Sequence, residues 1–123
     1  MKRSENKIST VTESLALMQS LLWYNDNYKV FFSKHKINNS EEYYCFVLDI
    51  KTGVRKHGKY RITKETVLIE FLDGTYRFKY LGNMQKYDIT MMQLTNISNE
   101  TDYHNWLGID LSDEKGLPYI IKK

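Results

Sequence analysis

Arg55, His57, Lys59 and Arg61 recur at every second position. On an extended strand that spacing puts all four on one face. Guanidinium, imidazole and ammonium groups so arranged attract phosphates or a carboxylate-rich protein surface. Arg77 and Lys79 enlarge the basic set, and Tyr43 is the ring expected to add stacking. Other chemistry-bearing residues are scattered. His35, His57 and His104 fall in separate segments, with no acid partner evident in sequence. Cys45 lies between two rings with no base beside it, so it reads as a small buried hydrophobe. Neither zinc-ligand spacing, nor an EF-hand loop, nor a phosphate-cradling glycine loop occurs. Asp110, Asp113 and Glu114 read as a solvated turn. The expectation is a non-enzyme with no catalytic residues, no metal and no cofactor.

The basic set must be held by elements, and the stretch 66–81 organises them. Two apolar-rich runs flank Asp73-Gly74, a strong hairpin signal. A turn centred on Asp73-Gly74 pairs Phe71 with Tyr76, Ile69 with Phe78 and Val67 with Tyr80 on an inner face. Glu70 then faces Arg77 on the outer one. A preceding strand over 54–62 sends Tyr60 and Ile62 inward, with Lys59 meeting Glu70. Tyr60, Ile69, Phe71, Tyr76, Phe78 and Tyr80 therefore form either a core or an apolar pocket.

Upstream, Thr10 and Glu13 fit a capping box. Val11, Leu15, Met18 and Leu22 follow at helical spacing, predicting a helix over 10–24. Leu17, Leu21 and Tyr24 form a second stripe, which is further core or a surface for a homodimer. Strands are expected at Tyr28–Ser33 and Tyr43–Ile50, and after a Gly82-Asn83 break at Tyr87–Thr95. Tyr103–Leu107 and Tyr119–Ile121 are shorter candidates. The Tyr87–Thr95 run is apolar on both sides, which leaves its orientation open.

The chain of 123 residues is expected to be a single domain, with 1–9 a frayed start and 28–121 a β-meander. Hydrophobic residues at 41% exclude a wholly disordered chain, and ten tyrosines favour sheets. Between residues 51 and 90 nine lysines and arginines stand against four acids, whereas 91–121 carries one lysine against five acids. That asymmetry points to an acidic or phosphate-bearing partner for the middle. No run is long enough to cross a bilayer, the start lacks a signal-like apolar stretch, and Cys45 stands alone. A cytoplasmic protein without membrane contact is expected.

The order Trp23, then Gly58-Lys59-Tyr60-Arg61-Ile62, then Asp73-Gly74 resembles the small bacterial lipocalin-like domains over roughly 23–94. The fold class is accordingly mainly β: an N-terminal helix, then an antiparallel meander of six to seven strands, half-closed or closed as a barrel, with an OB-like barrel as the alternative. Three functions suit such a chain. The first is an interaction protein that binds a protein or ribonucleoprotein through the basic face. Phage or mobile-element inhibitors of host defence nucleases, such as anti-CRISPR proteins, are examples of that class. The second, implied by the resemblance, is a carrier of a small apolar ligand. The third is a single-stranded nucleic-acid-binding barrel.

Overall fold

The computed structural model describes residues 10–84 and 89–110. One helix, α1 (Val11–Ser20), precedes eight strands. These are β1 (Leu21–Tyr24), β2 (Tyr28–Lys36), β3 (Tyr43–Asp49), β4 (Arg55–Ile62), β5 (Val67–Phe71), β6 (Gly74–Met84), β7 (Ile89–Asn96) and β8 (Tyr103–Asp110). Each pairs antiparallel with the next, and β1 pairs with β8, so the meander closes into a barrel. Alternation does the sorting. Buried side chains from successive strands meet inside, among them Trp23, Val30, Phe32, Tyr60, Ile69, Phe78, Met92 and Trp106.

The capping box forms as expected: Glu13 N–H donates to Thr10 Oγ1 at 3.0 Å, and Thr10 N–H donates to Glu13 Oε1 at 3.2 Å. The helix, however, ends at Ser20 rather than running to Tyr24. Residues 21–24 are strand, because closure needs a partner for both β2 and β8. As a strand they put the Trp23 ring in the core, where its indole N–H donates to the Met18 carbonyl at 3.1 Å. Leu17, Leu21 and Tyr24 therefore do not line one helical face. This extra strand also raises the count from the expected six or seven to eight.

The central hairpin keeps its expected faces but not its pairs. Its turn is centred on Leu72-Asp73, both with positive φ (51° and 63°), and Gly74 pairs with Phe71. Positive φ at both central residues is the type I′ requirement, met here without glycine. Gly74 serves instead where a Cβ would come within 3.0 Å of the Tyr76 ring. The observed register moves by two in the sum of paired positions, so parity survives and inward residues stay inward. Ile69 faces Tyr76, and Glu70 faces Thr75 rather than Arg77. The Leu72 side chain packs against the core.

Two smaller differences share one cause, continuity of a closed sheet. β2 runs on to Lys36 with a bulge between Phe32 and Lys36. At the expected break Gly82 and Asn83 stay paired with β7, and a bulge lies just before them, between Tyr80 and Gly82. Ile62 pairs with Val67 as expected but stays 40% exposed at the strand end. β7 acquires an orientation: Met92 and Leu94 are buried in the core, while Met91 joins Tyr24, Leu81 and Leu107 around an outer depression of about 330 Å³. Its two apolar sides thus face a core and an outer wall. The expected strand Tyr119–Ile121, the acidic turn beyond Asp110, the start of the Tyr87 strand and residues 1–9 lie outside the described residues.

Candidate interaction surface

Arg55, His57, Lys59 and Arg61 of β4 point out of the barrel, and their register with β3 decides what stands beside them. Lys59 lies opposite Tyr44, His57 opposite Phe46 and Arg55 opposite Leu48. The Tyr44 ring is 6.1 Å from the His57 ring, edge to face, and 6.2 Å from Phe46, stacked. Tyr43, the expected ring, is turned inward and stacks on Tyr60 at 5.1 Å. One position along a strand reverses the face, so Tyr44, not Tyr43, stands beside the basic residues.

The six expected basic residues form two groups. Arg55, His57, Lys59 and Arg61 share β4, while Arg77 and Lys79 stand on β6. Leu68 of β5 sits between Arg61 and Arg77 in one row. At about 4.8 Å per strand those two are about 10 Å apart in backbone. Acids temper the set. Lys59 Nζ is 3.3 Å from Glu42 Oε1, Glu70 lies across from Lys59, and Arg77 reaches Glu100 at 3.7 Å. These are solvent-facing contacts of small net strength. His57 and Arg61 are exposed.

The residues named as pocket or core are core. Tyr60, Ile69, Phe71, Tyr76 and Phe78 belong to one buried cluster and Tyr80 packs against it. Phe71 meets Tyr76 edge-on at 5.5 Å and Trp106 at 6.1 Å. Tyr60 links three elements. Gln19 Nε2 donates to its oxygen at 3.0 Å, and its hydroxyl donates to the carbonyl of Ser33, inside the β2 bulge. Burial, only partly offset by the Gln19 bond, raises its pKa. Burial also pushes the Cys45 thiol from 9.0 up to about 12, which leaves it un-ionised and inert as a nucleophile.

A polar cluster that the sequence reading missed lies across the β7–β8 turn. Asp102 Oδ2 accepts from Asn96 Nδ2 at 3.0 Å and from the Tyr76 hydroxyl at 3.3 Å. His104 Nε2 is 3.3 Å from Asp102 Oδ1. The Asn96 bond, with His104 helping, holds the Asp102 carboxyl below its usual range. The spacing of two between Asp102 and His104, which puts both on one side of a strand, was its visible signal. This cluster ties the turn to β6, with the Tyr76 hydroxyl bonded to Asp102 and the Tyr76 ring edge-on to His104 at 5.5 Å.

A depression of about 450 Å³ adjoins the basic strand, lined by Lys56 and His57 on one side and by Glu70, Asp73 and Thr75 on the other, with Val47 and Phe71 also in its lining. Among the described residues, no three His, Cys, Asp or Glu side chains are grouped to hold a metal, and no helix is long and apolar enough to cross a membrane. No protein-family model, curated protein or solved structure matches this chain.

Proposed function

We propose that this protein is a non-enzymatic interaction protein that docks its β3–β4 outer wall on a partner with an acidic or phosphate-rich surface, a protein or a ribonucleoprotein. One observation carries the reading: His57, Lys59 and Arg61 project from a single strand of a closed barrel, with the Tyr44 ring in register beside them. A closed barrel holds such a row without reordering, which lowers the entropic cost of association. Exposed cations of this kind chiefly set on-rate and salt dependence, and an adjoining ring supplies contact area. An inhibitor that covers a nucleic-acid-handling enzyme is one form this reading takes. Rings packed against each other in the interior give the carrier reading no support.

The test is affinity capture from the native cells with the wild-type chain and with a Lys59→Glu/Arg61→Glu double variant, with and without RNase. Loss of the captured partner in the double variant, at unchanged thermal stability, is the expected result. Equal capture by both proteins removes the basic wall from the mechanism. RNase sensitivity separates a ribonucleoprotein from a protein partner.

A further inference from the structure

The outer faces of β3 and β4 carry two files of side chains in register. On β3 Tyr44, Phe46 and Leu48 stand at every second position, and opposite them on β4 stand Lys59, His57 and Arg55. Each step of two residues, about 6.8 Å along the strand, therefore offers one apolar surface and one basic group. β2 widens the apolar file, since Phe31 lies beside Phe46 and Lys29 beside Leu48. Both point outward, because Val30 and Phe32 between and after them are in the core. The Tyr44 and Phe46 rings are half-buried and nearly parallel, 20° apart. Arg55, His57 and Arg61 are exposed. Gly58, between His57 and Lys59, lets β4 lie tight against β5, where a Cβ would come 2.3 Å from the Glu70 carbonyl oxygen.

Charge and ring together select the occupant. Lys29, Arg55, Lys59 and Arg61 share this face with two carboxylates, Glu42 and Glu70, so it is net positive. A carboxylate-rich protein surface would meet the cations but bring nothing flat to lie on the rings. A single nucleic-acid strand brings a phosphate and a π-face at every repeat, the same pairing that the two files present. The two carboxylates bear on the sugar. Glu42 Oε1 is held 3.3 Å from Lys59 Nζ, and Glu70 lies across from Lys59. A ribose 2′-hydroxyl can donate to such acceptors, and a deoxyribose has no donor there.

We propose that the outer wall of β2, β3 and β4 binds single-stranded RNA, with bases stacked on Tyr44, Phe46 and Phe31 and phosphates held along Arg55, Lys59 and Arg61. The rings supply sequence-tolerant contact, and the cations supply the salt-dependent part of the affinity. The inference deepens the reading of this wall as the partner-binding surface, and rests on it, by making RNA the component that the wall touches.

The probe is a fluorescein-labelled uridine decamer, titrated with the full chain and followed by anisotropy between about 50 and 200 mM salt. Three phosphate contacts predict that log K falls against log salt with a slope of about −2, and Lys59→Gln/Arg61→Gln should bring that slope to about −0.7. Tyr44→Leu keeps an apolar side chain without the ring, and should weaken binding about tenfold at an unchanged slope. A deoxyuridine decamer should bind at least about fivefold more weakly than the RNA. No binding at about 50 mM salt, a slope near zero, equal binding by Tyr44→Leu, or equal binding of the deoxyuridine decamer overturns the proposal. Should Tyr44→Leu unfold, Phe46→Leu carries the same expectation. The capture experiment separates the two readings. If Lys59→Glu/Arg61→Glu loses a partner whose capture resists RNase, and the uridine decamer does not bind, the wall stands as a protein-docking surface and the RNA assignment falls.

Discussion

Replacing Tyr60 by phenylalanine isolates one hydroxyl that ties the helix, the β2 bulge and the basic strand together. The ring itself stays in place. Its edge-on contact with Phe32 at 5.3 Å and its stack on Tyr43 at 5.1 Å need no oxygen, so no cavity opens. What is lost is the donor to the Ser33 carbonyl and the acceptor for Gln19 Nε2. Ser33 is only 3% exposed and falls in the bulge, where β3 offers no register partner. Leaving a buried carbonyl unmet costs about 1–3 kcal/mol. Taking about 2 kcal/mol, and about 4 °C per kcal/mol for a domain of this size, Tm should fall by about 8 °C. Thermal unfolding followed by circular dichroism measures it. A second measurement checks the route. Gln19→Ala should destabilise the wild-type chain but add little in the Tyr60→Phe background, because the two share the same bond. A Tm within about 2 °C of wild type, or full additivity of the two changes, would refute the bridging role of the hydroxyl.

Two further outcomes are expected. Gly58→Ala should cost about 3 kcal/mol in urea unfolding, since the added Cβ collides with the Glu70 backbone, which cannot swing aside as a side-chain tip could; a loss below about 1 kcal/mol would mean that β4 and β5 do not approach as described. The Cys45 thiol, raised from 9.0 to about 12 by burial, makes folding favour its protonated form, so that contribution is whole below pH 9 and is lost as pH rises from 9 to 12. Cys45→Ala should therefore lose less stability than wild type across that window, whatever its stability at pH 7, and identical slopes would contradict the burial of the thiol.

Parity along strands was legible from residue types alone. Alternation between Arg55 and Arg61 placed the cations outside and Tyr60 inside, and the sheet agrees. The Lys59–Glu70, Tyr60–Ile69 and Ile62–Val67 pairs also followed from a short turn at Lys64-Glu65. The Thr10–Glu13 cap was readable because all its atoms lie within one turn of chain. These are local consequences of side-chain period and turn chemistry, and they need no knowledge of the rest of the molecule.

Closure was decided elsewhere. Leu21–Tyr24 has helical spacing behind it, yet it is drawn into the sheet because β2 and β8 would otherwise leave open edges. The hairpin turns on Leu72-Asp73 with Gly74 paired to Phe71, not on the Asp-Gly pair that local turn preference favours. The exchange of Tyr43 for Tyr44 beside the basic residues needed the inter-strand pairing, and the Asp102 cluster needed the β7–β8 turn brought against Tyr76 of β6. Chain order dictates which face a residue occupies, because that depends on its own strand. Neighbours across strands depend on how eight strands of unequal length share one circumference, which is a property of the assembled barrel.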